Sequence, residues 1–210
     1  FATGKKGQRD GWYVFYGVTG AFGDWSQNIQ GKWSAGNSSL SPRDQNLLRE
    51  QQEKAQQTAE AEKIRKQEEA AHLVLNKWNS LSETGSSPYL ERKQIKAYGV
   101  RFGGEHLIIP LRDTTGKLWS FQWIEPDGKK QFLKGGKKKG CFHTIGVLED
   151  GRSIYIVEGY ATGASVHMAT LASVVVAFDA GSIDPVIQEI KKSYPNSPLI
   201  IAGDDDVWKD

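Results

Sequence analysis

The chain has 210 residues with a formal net charge of +2 and a mean hydropathy of −0.52. That length suits one or two domains, and the near balance of charge names no partner by itself. Cys141 is the only cysteine, which excludes a disulfide framework and a multi-cysteine zinc site and fits a reducing, cytoplasmic setting. No apolar run reaches the roughly 18 residues of a membrane span, and no signal peptide is visible. The sequence begins at Phe1 rather than Met and stops just beyond a strand-like run, so it reads as a piece of a larger protein.

Residues 1–40 are rich in glycine and aromatics, as in "GWYVFYGVTGAFGDWSQNIQGKWSA". Short aromatic and β-branched runs broken by glycine predict strands and tight turns. Trp12, Tyr13, Phe15, Tyr16, Phe22, Trp25 and Trp33 interleave with Lys5, Lys6 and Arg9. Such rings either form a small β core or, beside cations, stack single-stranded bases. "SPRD" at 41–44 predicts a helix start, with Ser41 as cap and Pro42 in the first turn. Residues 41–80 then read as one long charged helix, able to span roughly 50 Å. Between Arg49 and Lys63 its only apolar residues are alanines, so that stretch stands in solvent, contacts a partner or serves as a spacer. Apolar residues return with Leu73, Leu75 and Trp78, where we expect packing.

Residues 81–150 predict a mixed α+β basic subdomain: a turn at "GSSPYL", then strands in "HLIIPLRD", "LWSFQWI" and "QFL", with "PDG" as a turn signal. Six lysines, Lys129, Lys130, Lys134, Lys137, Lys138 and Lys139, fall in this segment among glycines. Glycine lets a backbone approach a ligand closely, and lysine is a compact charge for phosphate. The alternative is a solvated charged loop. Residues 151–210 change texture. "SIYIVEG", "ASVVVAFDAGS" and "PLIIAGDDD" are unalternated apolar strands, separated by helical "YATGASVHMATL" and "DPVIQEIKKSYP". Asp184 is expected to cap the second helix, with Pro185 in its first turn. This order implies a parallel sheet covered on both faces.

In such sheets ligands bind beyond the carboxyl ends of the strands. Glu158 ends the first strand, and Asp204, Asp205 and Asp206 end the third. Residues i and i+2 of a strand share a face, so Asp204 and Asp206 can converge with Glu158 while Asp205 points elsewhere. Each acid alone can equally be a solvated strand end. Three carboxylates without His or Cys favour Mg²⁺ or Mn²⁺ over zinc. Asp179 ends the second strand, either as support for that site or as a turn residue.

"SIYIVEGYATGASV" followed by "IIAGDDD" resembles the TOPRIM fold of DnaG-type primases, topoisomerases and some nucleases. The resemblance implies a partial TOPRIM parallel sheet with flanking helices. It also implies that Glu158-Gly159 and Asp204-Asp205-Asp206 stand for that family's Glu-Gly and Asp-x-Asp motifs, which hold Mg²⁺ for phosphoryl chemistry. A complete TOPRIM domain would carry a further strand and helix. The stretch "HLIIPLRDTTGKLWSFQWIEPDGKKQFLKGGKKKGCFHTIG" resembles the segment before TOPRIM in DnaG-type primases, with Arg112, Gly116, Lys130, Phe132, Leu133 and Phe142 in corresponding places. "SSPYLERKQIKAYGVRF" resembles the PYL-x-x-K run of plasmid- and phage-borne primases. A zinc ribbon is not seen, and Gln122 and Trp123 stand where replicative enzymes tend to carry glycines and an arginine.

The implied function is a DNA primase core making short RNA primers on single-stranded DNA from NTPs, with a replicative helicase as possible partner. Glu158, Asp204 and Asp206 would be the catalytic metal ligands. Arg112 and the six lysines would hold DNA or nucleotide. The alternatives are a TOPRIM nuclease or topoisomerase part, or a non-catalytic nucleic-acid-binding module. Strand passage needs an activated tyrosine, and Tyr160 is expected only to open a helix. His143, beside the basic loop, touches phosphate or is structural.

Overall fold

The computed structural model describes residues 11–15, 19–24, 29–34 and 42–203. Asp204, Asp205 and Asp206 lie outside the described residues, as do Ser41 and the cations Lys5, Lys6 and Arg9. The chain forms two compact units, Phe1–Glu62 and Lys63–Asp210.

In the first unit β1 (Gly11–Phe15), β2 (Thr19–Asp24) and β3 (Ile29–Ser34) form an antiparallel sheet in the order β1-β2-β3. The expectation of strands in this aromatic segment holds. Its aromatic side chains, however, do not make a core: Tyr13, Phe15, Phe22 and Trp33 are all exposed. Helix α1 (Pro42–Asn79) begins in this unit. Its side chains from Glu53 to Glu60 are uniformly exposed, as an alanine-only apolar content requires.

In the second unit the end of α1 packs through Ala71, Val74 and Trp78, while Leu73 and Leu75 are exposed. Leu73 and Leu75 therefore do not carry the contact. Positions 71, 74 and 78 share one helix face at a period of 3.6; 75 lies at the edge of that face and 73 on the opposite side. After α2 (Pro88–Lys93) come β4 (Arg101–Gly103), β5 (His106–Arg112), β6 (Leu118–Ile124) and β7 (Lys130–Phe132), an antiparallel sheet in chain order. Alternation sends Ile108 and Phe121 to one face, against Val74 and Trp78. It sends Leu107, Ile109, Leu111 and Ile124 to the other face, in the main core.

The second sheet of this unit contains β8 (His143–Ile145), β9 (Ile154–Val157), β10 (Ser173–Val176) and β11 (Leu199–Ala202), in the order β11-β9-β10-β8. β9, β10 and β11 are parallel, and β8 runs antiparallel along β10. The sheet is thus mixed rather than purely parallel. β8 comes from the stretch expected to belong to the basic subdomain, and it caps the edge that β10 would otherwise leave open. Helix α3 (Tyr160–Thr170) covers one face, where Ala164 joins Val157, Val174 and Val176. Helix α4 (Ala180–Ser193) covers the other, where Val186 and Ile190 join Ile154, Ile156 and Val175. Gly163 lets α3 approach this closely: a Cβ there would sit 3.0 Å from Val176 and 3.1 Å from Val157. Helix α4 starts a turn earlier than expected. Asp179, not Asp184, holds the N-cap position, and Pro185 lies inside the helix, giving up one i→i−4 hydrogen bond.

Candidate active site

The parallel pairing sets where chemistry can occur. Ala202 of β11 is in register with Val157 of β9, so both strands end at one sheet edge. Glu158 follows β9 there and is exposed. Gly159 is the N-cap of α3, with no acidic side chain in the first turn. The N-terminus of α3 gives the edge a positive dipole end beside the Glu158 carboxylate.

A cavity of about 410 Å³ opens at this edge, lined by Glu158, Gly159, Arg92, Lys93, Lys130 and Phe178 among others. Each cation reaches it for a local reason. The last turn of α2 carries Arg92 and Lys93. Arg92 Nη1 donates to the Pro126 carbonyl at 2.6 Å, which ties α2 to the β6–β7 turn. Gly128 in that turn has φ +98, and a Cβ there would lie 3.3 Å from Arg92 Nη2. Lys130 opens β7, and its Nζ lies 3.8 Å from the place a Cβ on Gly159 would take. The neighbouring Tyr89 hydroxyl is pushed up in pKa by burial, against the pull of Arg92. Phe178 sits in the left-handed region at φ +76, a costly conformation for an aromatic residue. Its N–H donates to the Glu158 carbonyl at 2.8 Å, so the two strand ends are pinned together.

The structure therefore brings Glu158 and Lys130 together and places the other described candidates elsewhere. Lys138 Nζ pairs with Asp179 Oδ2 at 3.3 Å and sits 4.3 Å over the Phe132 ring. Lys137 Nζ lies 4.4 Å over the Trp119 indole, which also carries Lys117 Nζ at 3.9 Å. Lys134 and Lys139 are exposed. Lys129 Nζ is 3.9 Å from Glu125. Arg112 lines a separate cavity of about 420 Å³ with His143 and Asp113, donates to the Gly116 carbonyl at 2.8 Å, and has its pKa lowered by burial and by Arg101. Arg92 and Lys93 were missed as site residues, although "PYLERK" ends on them. A helix of only six residues gives sequence patterning too little to show which way its last turn faces.

Two further expectations resolve. Tyr160 is buried at the start of α3, where its hydroxyl accepts the Tyr98 N–H at 2.7 Å, and burial raises its pKa well above the ordinary value. It is no activated nucleophile. His143 is buried, its Nε2 2.9 Å from the Tyr98 carbonyl, and burial lowers its pKa to about 4. The neutral ring must donate from Nε2 to that carbonyl, which is a structural role. Among the described residues no three metal-ligating side chains cluster. Glu158 is an oxygen donor of the kind a hard cation takes. Also among the described residues, no helix is long and apolar enough to cross a membrane.

Comparison with known proteins adds a relationship. No protein-family model matches the chain. Two curated Escherichia coli proteins, both named DNA primase TraC, are similar over nearly all of it. One is 35% identical over 214 aligned positions, covering 96% of this chain and 20% of its own length. The other is 37% identical over 215, covering 97% and 15%. The chain thus spans a fifth or less of the relatives it matches. Among solved structures, the primase fragment of the bacteriophage T7 primase-helicase protein aligns at 17% identity with a TM-score of 0.39, covering 57% of this chain and 50% of its own. A bacteriophage T7 lagging-strand DNA polymerase complex with primase domains aligns at 15% and 0.40, covering 56% and 61%.

Proposed function

We propose that this chain is the catalytic segment of a TOPRIM-class DNA primase, which joins NTPs into short RNA primers on single-stranded DNA with Mg²⁺ or Mn²⁺. One observation carries the reading. At the edge where parallel β9 and β11 end, the Glu158 carboxylate shares a cavity with Arg92, Lys93 and Lys130, in a chain related to proteins named DNA primase. Two carboxylates, Glu158 and Asp127, among three cations and a helix N-terminus suit a polyphosphate accompanied by a divalent ion.

In this proposal Glu158, with Asp204 and Asp206, holds the metal. When bound, the metal lowers the pKa of the attacking 3′-hydroxyl and neutralises phosphate charge. Arg92 grips a phosphate through its planar fork, pre-oriented by its bond to Pro126. Lys93 and Lys130 add point charges. Phe178 closes the floor and fixes the Glu158 backbone. Positioning and charge neutralisation supply most of the rate. Lys134, Lys137 and Lys139 serve the DNA backbone, and a replicative helicase is the proposed partner.

Glu158→Gln tests the reading. It should lower primer synthesis by on the order of 10²-fold or more and weaken Mn²⁺ binding by calorimetry, with single-stranded DNA affinity unchanged. Primer synthesis equal to wild type, or Mn²⁺ binding unaffected by the substitution, would remove Glu158 from the site and the reading with it.

A further inference from the structure

One face of the β1–β3 sheet is built almost wholly of rings. Strand alternation and register put Tyr13, Phe15, Gly20, Phe22, Gly31 and Trp33 on the same side. The exposures are 70% for Tyr13, 61% for Phe15, 41% for Phe22 and 38% for Trp33. Ile29, at the start of β3, and the buried Asp24 paired with it complete this face among the described residues.

The glycines explain how the rings lie. Gly20 sits between Phe15 and Trp33 in the pairing, and Gly31 sits opposite Phe22. A Cβ on Gly20 would be 2.3 Å from Trp33 Nε1, and one on Gly31 would be 2.8 Å from Phe22 Cζ. Both distances are impossible contacts. The Trp33 and Phe22 rings therefore lean across a neighbouring strand and rest over a glycine, each still about two-fifths exposed. Across Gly20 the Phe15 and Trp33 rings stand 5.6 Å apart at an interplanar angle of 24°, close to parallel. Residues 1–35 also carry Lys5, Lys6, Arg9 and Lys32 against Asp10 and Asp24, so the segment is net cationic.

We propose that this face is a stacking platform for the bases of single-stranded DNA. Near-parallel open rings on a cationic segment match the chemistry of an unpaired strand, which offers flat bases on an anionic backbone. An aliphatic protein surface would find neither counterpart. The choice of DNA over RNA rests on the primase reading. The platform itself does not, because it belongs to the other compact unit of the chain and needs no metal.

The experiment is anisotropy titration of a labelled oligo-dT with the 210-residue chain, without metal or NTP, at several salt concentrations. Phe15→Leu, Phe22→Leu and Trp33→Leu keep an apolar side chain but remove the ring. Each should weaken binding about tenfold. The slope of log K against log salt should stay unchanged, since no phosphate contact is lost. Phe22→Tyr and Trp33→Tyr keep a ring and should bind within about threefold of wild type. Wild-type affinity in the Leu variants, equal losses in the Tyr variants, or a shallower salt slope would overturn the platform. Tighter binding of oligo-U than of oligo-dT, lost in the same variants, would overturn the choice of DNA. Normal priming with failed stacking would refute only this inference, and failed priming with intact stacking would refute only the active-site reading.

Discussion

Two antiparallel sheets in this protein are equally aromatic in sequence and opposite in their use of it. In β4–β7, Phe102, Trp119 and Phe121 are buried. In β1–β3, Tyr13, Phe15, Phe22 and Trp33 are not. Both sheets alternate correctly, and both have turn signals between strands. The difference is cover. Phe121 meets Val74 and Trp78 from the last turns of α1, whereas the rings of the first sheet meet glycines within the sheet. Alternation therefore tells which side chains share a face, but an aromatic face becomes core only if another element is placed on it.

The largest test of this contrast is truncation of one ring in each sheet. Phe121→Ala should cost about 3–5 kcal/mol, as a buried Phe typically does. Phe22→Ala should cost about 1 kcal/mol or less, because its ring already faces water. Urea unfolding followed by circular dichroism measures both, with a two-transition fit if the units unfold separately. Equal costs would mean that the β1–β3 face is covered in solution.

Next in size is a pH effect confined to the second unit. His143 is neutral in the fold, its pKa lowered to about 4 first by burial and then by Arg112, with the bond to Tyr98 acting in the opposite direction. The unfolded chain takes up that proton near pH 6.5. Between these values the unfolded state binds a proton that the folded ring refuses. Stability is therefore complete above about pH 6.5 and declines as pH falls towards 4, by a total of about 3 kcal/mol. His143→Gln should flatten that decline in a series of urea midpoints. An equally steep fall in the variant would assign the pH dependence to other groups.

How much of this was legible in sequence follows physical lines. The apolar runs gave β9, β10 and β11 because unalternated apolar stretches stand out even at four residues each, but they also implied cover on both faces, whereas Ile200 and Ile201 of β11 are exposed. The Glu158 edge position followed from the same pattern. β8 was missed because three residues carry no period to read. Burial at positions 71, 74 and 78 rather than 73 was available from a 3.6 period but masked by the more conspicuous leucines, while Leu75 lies at the edge of the same face. The left-handed Phe178 has no sequence signal at all, since phenylalanine favours ordinary β conformations and only tertiary constraint holds it there. Arg92 enters the site through a bond to the backbone of a distant turn, with Lys93 beside it on the same helix turn, which composition does not encode. Asp204 and Asp206 lie outside the described residues and remain a reading from sequence.

The smallest effect concerns how the basic loop is held, and it separates the two sheets in a different way. β1–β3 rings pack within their own sheet, but the loop after β7 is tethered to the other sheet of its unit. Lys138 pairs with Asp179 at 3.3 Å, with both side chains about two-fifths exposed (43% and 41%). An exposed pair of this kind contributes about 0.2–1 kcal/mol. Asp179→Asn should therefore lower stability by no more than that, and the loss should fade at high salt. Its informative effect is on binding. Freed from its carboxylate, Lys138 can neutralise a phosphate, so the dependence of log K on log salt for oligo-dT should steepen by up to about 0.7, the share of one phosphate contact. The double variant Asp179→Asn with Lys138→Ala should return that slope to the wild-type value or below. If Asp179→Asn leaves the slope unchanged while Lys138→Ala lowers it, Lys138 already serves DNA alongside Asp179 and the pair is no restraint. If neither substitution changes the slope, the loop makes no phosphate contact through this residue.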